Sequence, residues 1–228
     1  MLYHSFKTDP EPKISGVKDG MNQVEILPEG FADNRSFQEL VDYFDFRTYW
    51  QQQRIPPPPF VIEFAQLRPK AKLTDFLELS PFLLGCPFML SERAKEVFVR
   101  HYIQPSYLFD VFVYDKTGLV SNGYSLFNFP YLDYEVIDFT KSRFYTGHIV
   151  KKPLVFANKE AFDNYRLTQH KIPSVESLVM SEVFDAKLDF FQCRIGPMFM
   201  SERLKSAVQE AGLSNTVFPS AGPFAFAE

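Results

Sequence analysis

The sequence predicts an α+β fold, with two diverged strand–turn–helix units that form pseudo-symmetric lobes and a mixed or antiparallel sheet. Three observations support this prediction: short apolar runs typical of strands, apolar residues at helical spacing, and an internal repeat. Apolar residues make up 46% of the 228 residues and aromatic residues 17%, so the chain has enough apolar surface to bury a core. A disordered chain is excluded on the same ground.

The first 59 residues are predicted to form a separate segment of strands and one helix. Val24–Leu27 is a short apolar run among turn residues, which favours a strand. Ser36–Glu39 reads Ser-Phe-Gln-Glu, a capping box that predicts a helix start. The prolines of Pro56–Pro59 cannot donate backbone hydrogen bonds, which predicts a stiff extended spacer at the end of the segment. The apolar face of the predicted helix comprises Phe37, Leu40, Val41 and Phe44.

Residues 60–228 are predicted to form the main α+β domain, and strands dominate its first half. Lys116-Thr117-Gly118 is typical of a turn between two strands, and Asn158 is suited to cap a short helix. The predicted strands are Phe60–Phe64, Tyr107–Tyr114, Gly123–Phe129, Tyr134–Phe139 and Leu178–Met180.

An internal repeat links two parts of this domain. Pro87–Lys95 reads Pro-Phe-Met-Leu-Ser-Glu-Arg-Ala-Lys, and Pro197–Lys205 reads Pro-Met-Phe-Met-Ser-Glu-Arg-Leu-Lys. In each copy an apolar strand ends at a serine, Ser91 or Ser201, which is suited to cap the helix that follows. The next glutamate lies at the positive end of that helix dipole. The shared motif therefore has a structural explanation and does not indicate a catalytic pair.

The likeness extends upstream of both copies. Ala71–Phe76 reads Ala-Lys-Leu-Thr-Asp-Phe and resembles Ala186–Phe190, which reads Ala-Lys-Leu-Asp-Phe. Two related units are therefore predicted, at about residues 60–114 and 178–222. The predicted helical faces comprise Ala94, Val97, Phe98 and His101 in one copy, and Leu204, Ala207, Val208 and Ala211 in the other.

No local motif of a known catalytic chemistry is present, so we expect a protein that is not an enzyme. The nucleophile elbow and the dinucleotide fingerprint are missing, and Tyr124 stands where a phosphate-binding loop needs lysine. Cys86 and Cys193 are expected to be buried free thiols, because their surroundings are apolar and no Cys-x-x-Cys motif occurs. Catalytic, cofactor-binding and metal-binding residues are therefore predicted to be none. The four histidines, His4, His101, His148 and His170, are too dispersed for a zinc motif.

Charge and hydropathy restrict the partners. The net charge of −4 disfavours a nucleic-acid partner, because such binding depends on lysine and arginine neutralising phosphates, and it suits a basic protein partner. No uncharged apolar stretch reaches membrane-spanning length, so no membrane partner is expected. The N-terminal residues lack the pattern of a signal peptide, and we therefore expect a cytoplasmic location.

Several segments between residues 60 and 222 resemble one bacterial family. Gly123–Phe129, Val136–Phe144 and Pro197–Lys205 are similar to its characteristic strands and closing helix, and Gly212-Leu213 and Val217-Phe218 follow as in the family. The family, formerly a domain of unknown function, comprises immunity proteins of polymorphic toxin and type VI secretion systems. The chain departs from it at Ser214-Asn215, where the family has a further glycine.

The resemblance implies a protein that binds and neutralises a cognate secreted toxin, encoded by the adjacent gene, by stoichiometric occlusion of the toxin's active site. None of the matched positions is catalytic in the family, so no cofactor or catalytic site follows from the likeness. An acidic inhibitor suits a nuclease toxin, whose substrate channel is positive. Two alternatives remain open: an enzyme whose site assembles only in the fold, with Asp133, Glu135 and Asp138 available, or a general adaptor or scaffold.

The predicted partner-binding residues lie in two stretches that combine acidic and aromatic side chains, as interface anchors do. The first stretch is Asp42–Asp45, followed by the only tryptophan, and the second is Tyr131–Glu135. Phe44 is expected to face the core. The predicted residues are Asp42, Asp45, Trp50, Tyr131, Asp133 and Glu135.

Overall fold

The computed structural model describes residues 2–18, 22–79, 83–103, 105–147 and 149–219, so His148 lies outside the described residues. Helices and strands are both present, with mixed and antiparallel sheets, which confirms the α+β prediction. The strands are β1 (Tyr3–Phe6), β2 (Val24–Ile26), β3 (Ile62–Leu67), β4 (Phe76–Glu78), β5 (Phe88–Ser91), β6 (Tyr107–Asp115), β7 (Gly118–Asn128), β8 (Arg143–Thr146), β9 (Lys152–Leu154), β10 (Ser174–Ser177), β11 (Phe190–Gln192) and β12 (Met198–Ser201). The helices are α1 (Pro12–Ser15), α2 (Asn34–Phe44), α3 (Tyr49–Gln52), α4 (Glu92–Phe98), α5 (Lys159–Gln169) and α6 (Glu202–Glu210), and 3-10 turns span Pro28–Gly30 and Tyr134–Val136.

The chain forms two compact units, each made of segments that are distant in sequence. Of the residues that the structure describes, those within 7–130 and 203–217 form the sheet unit. Those within 2–6, 131–202 and 218–219 form the aromatic unit. These units are bounded differently from the predicted division at residue 59, and that division stays a prediction.

The sheet unit is built on a six-stranded sheet with the order β2-β3-β6-β7-β5-β4. Strands β3 and β6 are parallel, and the other neighbours are antiparallel. Strand β2 precedes the proline run and β3 follows it, yet the two strands pair, so the run connects elements of one sheet. The predicted turn at Lys116-Thr117 joins β6 to β7.

Aromatic rings fill the core of the sheet unit. Phe88, Met89 and Leu90 of β5 are fully buried, and α4 covers them with the buried side chains of Ala94 and Phe98. The Phe98 ring meets the Phe127 ring edge-on, with their centres 5.3 Å apart. Such edge-to-face pairs add to the stabilisation that the buried apolar area provides.

Helix α2 has its predicted apolar face but a different cap. Leu40 and Phe44 are buried, as predicted, while Phe37 is half-buried against Phe31. The prediction of Ser36 as the N-cap is wrong, because Asp33 accepts a hydrogen bond from the Arg35 amide at 2.9 Å. Asp33 is as good a cap as serine and starts the helix nearly one turn earlier.

The aromatic unit contains two antiparallel three-stranded sheets with the orders β1-β12-β11 and β10-β8-β9. Helix α5 begins at the predicted cap Asn158, whose side chain accepts from the Ala161 amide. Phe162 of α5 is fully buried, and its ring lies 5.1 to 5.7 Å from the rings of its neighbours. Those neighbours are Tyr134, Phe139, Phe144 and Phe156.

Two predicted strands of this unit are wrong. Tyr134–Phe139 is not a strand, because Tyr134–Val136 forms a 3-10 turn and the Asp138 carboxylate turns the chain by accepting from the Thr140 and Lys141 amides. Leu178–Met180 lies just beyond the true strand β10, and only Met180 makes an isolated bridge. In place of strand pairing, the Val179 amide donates to the Ser142 hydroxyl.

The repeat appears in the structure as two hairpins with matching registers. Phe76 pairs with Leu90 in one hairpin, and Phe190 pairs with Met200 in the other. Each hairpin ends on a serine that donates to the aspartate preceding its first strand. Those bonds join Ser91 to Asp75 at 2.6 Å and Ser201 to Asp189 at 2.5 Å. Ser91 also caps α4 by accepting from the Ala94 amide, as predicted.

The pseudo-symmetry of two whole lobes remains a prediction. Strand β12 and Glu202 belong to the aromatic unit, whereas residues 203–217, which include most of α6, belong to the sheet unit. The second strand–helix copy is therefore divided between the two units. Leu204 and Val208 are the fully buried residues of its predicted helical face.

Asp75 attaches the C-terminal segment 203–217 to the sheet unit. Its carboxylate accepts from the Ser214 amide and hydroxyl, each at 2.8 Å, and from the Ser91 hydroxyl. Burial opposes ionisation of this carboxyl, but the hydrogen bonds from Ser214 and Ser91 and the charge of Arg93 outweigh it and lower its pKa. Folding therefore favours the ionised form of Asp75.

We expect Asp75→Ala to lower the free energy of unfolding by about 3 kcal/mol, because it leaves two hydroxyls and an amide without their charged acceptor. The Asp75 contribution should be present above the ordinary pKa of 3.8 and should be lost as pH falls through the lower folded value. Urea titrations between pH 2 and 7, where the group changes charge, measure both effects. Asp110→Ala, at an exposed position of β6, is the matched control, and equal losses for the two variants would contradict the assignment.

Candidate functional site

The buried polar groups of the sheet unit hold the fold together. Gln23 is fully buried, and its side chain donates to Lys72 O and Thr74 Oγ1 while accepting from the Asn215 amide group. The Tyr124 hydroxyl donates to Thr74 O, and burial raises the pKa of that hydroxyl. Because these polar atoms satisfy one another, this network is structural.

Both cysteines are buried free thiols, as predicted. Burial raises the pKa of the Cys193 thiol to about 12 and also raises that of Cys86. A thiol at neutral pH is a poor nucleophile, because the reactive species is the thiolate. The cysteines therefore act as small apolar core residues.

An open groove of 420 Å³ lies on the aromatic unit, between the 3-10 turn and the start of α5. The exposed carboxylates of Glu135 and Glu160 line it, with the Asp138 carboxylate and one lysine, Lys159. Tyr134 and Phe139, both buried core residues, contribute its aromatic part. We call this the acidic groove.

Asp138 differs from the two glutamates of the acidic groove. Its carboxylate accepts from the Thr140 hydroxyl at 2.6 Å and from two backbone amides, and it lies 3.4 Å from the Lys141 ammonium. The Thr140 hydrogen bond, which outweighs the small effect of burial, lowers the pKa of Asp138, with the Lys141 amide and ammonium acting in the same direction. Asp138 shapes the turn, whereas Glu135 and Glu160 are the carboxylates that solvent reaches.

Two other predicted residues of this stretch, Tyr131 and Asp133, lie outside the lining of the acidic groove. The Asp133 carboxylate lies 3.0 Å from Arg194 Nε, and the Arg194 guanidinium lies 5.7 Å from the centre of the Tyr134 ring. The side chains of Asp133 and Arg194 are 26% and 24% exposed, so this ion pair belongs to the packing of the unit. Tyr131 is half-buried.

The first predicted stretch forms a surface on the sheet unit, which we call the α2–α3 surface: Asp42, Asp45, Phe46 and Trp50. Asp42 is exposed, and its carboxylate accepts from Gln38 of the same helix at 2.7 Å. Asp45 accepts from the Arg47 side chain and amide, and the side-chain hydrogen bond is the main cause of its lowered pKa. Trp50 is half-buried beside Tyr49.

Phe46 is the residue of this surface that the sequence reasoning missed. It is 65% exposed although it is a large aromatic residue, and it follows directly after the end of α2. Because Phe46 lies outside the helix, the i, i+3, i+4 spacing that buries Phe44 does not apply to it. Phe46 is therefore more accessible to solvent than Trp50, which is half-buried.

The six predicted partner-binding residues fall into two groups on different units. Glu135 lies in the acidic groove with Glu160, which the sequence reasoning did not select because it is distant in the chain. Asp42 lies on the α2–α3 surface. Asp45 and Asp133 are engaged with arginines, as described above.

A scan of the chain against protein-family models finds no match, and a search of the curated proteins finds none either. Within the described ranges, His, Cys, Asp and Glu side chains form no group of three that is suited to hold a metal ion. In the same part of the chain, every helix is too short or too polar to cross a membrane.

Substitution of a carboxylate that forms an ion pair should reduce stability more than substitution of an exposed carboxylate. We expect Asp133→Lys to lower the free energy of unfolding by about 1–3 kcal/mol, because it places two cations side by side in a half-buried position. Glu135→Lys, two residues away and exposed, should change it by less than about 0.5 kcal/mol. Thermal and urea unfolding of the two variants measures the contrast, and equal stability would show that the Asp133–Arg194 pair contributes nothing.

Proposed function

We propose that the protein is a stoichiometric inhibitor that binds a basic protein partner, and that this partner is a secreted toxin whose active site it occludes. The acidic groove is the observation that carries the proposal. It offers two exposed glutamates, Glu135 and Glu160, that line one groove. That pair suits an arginine or lysine side chain of a partner, whose charged end meets the two carboxylates.

The resemblance to immunity proteins of polymorphic toxin systems supports the choice of a toxin as the partner. Such an inhibitor needs complementary charge, because opposite potentials steer encounter and raise the association rate. The net charge of −4 and the acidic groove agree with a basic partner such as a nuclease. The α2–α3 surface, with its exposed residues Phe46 and Asp42, is a separate candidate region for binding a basic partner.

An enzyme with a site assembled in the fold is the alternative from another class. The buried titratable groups at hand argue against it, since Asp75 is engaged by serines and both thiols have raised pKa values. A general adaptor would share the acidic surfaces but would not protect cells from the product of the adjacent gene. Protection therefore distinguishes the inhibitor from both alternatives.

Co-expression with the product of the adjacent gene tests the function. We expect that product alone to arrest growth, and the full chain to restore growth and to form a complex of equal stoichiometry. Restoration of growth without complex formation, or a complex without restoration of growth, would contradict the proposal.

Charge reversal tests the acidic groove within that complex. We expect Glu135→Lys to slow association at least about tenfold and to reduce its dependence on salt, because a rim charge acts mainly on the encounter rate. Glu96→Lys, an equal charge change at an exposed position of α4, is the control. Equal association rates for wild type and Glu135→Lys, measured by surface plasmon resonance, would place the interface elsewhere.

A further inference from the structure

The hairpin that joins β8 to β9 carries two exposed aliphatic side chains at its tip. Ile149 is 98% exposed and Val150 is 68% exposed. Gly147 begins the turn with a φ of +89°, and a Cβ atom there would lie 2.4 Å from Val150 O. Position 147 therefore requires glycine, and the exposed fractions of Ile149 and Val150 show that both side chains project into solvent.

The chain around this tip is basic, in contrast to the acidic chain as a whole. Between Phe139 and Asn158 the sequence contains Lys141, Arg143, Lys151 and Lys152 but no aspartate or glutamate. Lys151 and Lys152 are exposed and follow the aliphatic pair directly. The Lys151 ammonium lies over the Tyr145 ring, 4.4 Å from its centre, which keeps this charge next to β8.

A second groove of 440 Å³ lies at the base of the same hairpin. Lys152 and the exposed Lys171 line it together with two hydroxyl-bearing residues, Thr146 and Ser174. Ammonium and hydroxyl groups are the donors that bind phosphate. Ile172 of this groove is 69% exposed and adds a third aliphatic side chain beside the lysines.

We propose that the β8–β9 hairpin docks the protein on an anionic phospholipid bilayer. Ile149 and Val150 enter the boundary between headgroups and acyl chains, Lys151 approaches the negatively charged surface, and the groove of Lys152 and Lys171 receives a headgroup phosphate. Exposed aliphatic residues beside lysines are the combination that holds peripheral proteins on such surfaces. This association departs from the expectation of no membrane partner, which rested only on the lack of a membrane-spanning stretch, since surface docking requires none. It is independent of the proposed inhibition.

A bilayer fits this tip better than an acidic protein does. The cores of protein interfaces are enriched in arginine and aromatic residues and depleted in lysine, whereas this tip has lysine and aliphatic residues. An almost fully exposed Ile149 would need a matching pocket on a protein, but the fluid interface of a bilayer accommodates it without one. Strand β9 also has Pro153 beside Lys152, and at a sheet edge this pair discourages pairing with a strand of a partner.

Co-sedimentation of the full chain with vesicles tests the proposal. We expect binding to phosphatidylcholine vesicles that contain about 30 mole per cent phosphatidylserine, and loss of binding in high salt or with phosphatidylcholine alone. Lys152→Gln and Lys171→Gln should each weaken partitioning about fivefold, since a basic residue near an anionic surface contributes about 1 kcal/mol. Ile149→Asp should weaken it by at least about tenfold, because a carboxylate replaces an inserted aliphatic side chain.

The β6–β7 hairpin supplies the matched control. Leu119 lies at its tip, 52% exposed and near Lys116, so Leu119→Asp makes the same chemical change on another hairpin and should leave vesicle binding unchanged. Circular dichroism establishes that each variant is folded, and Val150→Ser gives a milder second change at the tip. Equal losses for Ile149→Asp and Leu119→Asp would overturn the proposal. The proposal would also be overturned if the chain failed to bind the anionic vesicles but bound soluble glycerophosphoserine or an acidic protein.

Discussion

The fold depends on a hydrogen bond between an aspartate and a serine that closes each repeated hairpin. In both copies the aspartate precedes the first strand, and the serine ends the second strand just before a helix. A carboxylate with two oxygens can accept from several donors, and Asp75 does so from Ser91 and from both donors of Ser214. The Asp75 carboxylate is thus the shared acceptor for the end of the hairpin, the start of the helix and the C-terminal segment of the sheet unit. In the second copy, Asp189 accepts from Ser201 and closes the hairpin in the same way.

Much of this architecture could be predicted from the sequence, because the signals are local. The cap at Asn158, the turn at Lys116-Thr117 and the serines of the repeat each follow from a side chain acting on its own neighbourhood. Two predictions failed because a nearby side chain determined the local structure instead. Asp33, and not Ser36, caps helix α2, and Asp138 forms a turn where the apolar alternation was typical of a strand. The pairing of β2 with β3 across the proline run has no local signal at all.

The candidate surfaces were less predictable for the same reason. Acidic residues are easy to find in a sequence, but whether a carboxylate is engaged depends on an arginine that is distant in the chain, as Arg194 is from Asp133. The acidic groove needs Glu160 to approach Glu135, and α5 brings about that approach only after folding. Phe46, Ile149 and Val150 are exposed because each lies just beyond the end of a helix or strand. The spacing of apolar residues in the sequence does not predict burial there.

The division of each unit into segments that are distant in the chain has a consequence for synthesis on the ribosome. In the sheet unit, the last hydrogen-bond donors to Asp75 and Gln23 are Ser214 and Asn215, which lie near the end of the described chain. In the aromatic unit, strand β1 comes from the beginning of the chain. Neither unit can be completed by a nascent chain that has not yet emerged beyond residue 217. Until then the Gln23 side-chain oxygen lacks its hydrogen bond from Asn215, and the Asp75 carboxylate lacks those from Ser214, although Lys72, Thr74 and Ser91 are already available as partners. Folding from the N-terminus therefore stops at an intermediate in which water replaces the missing donors. The sheet unit is therefore completed in a late step, after the C-terminal segment 203–217 has been synthesised.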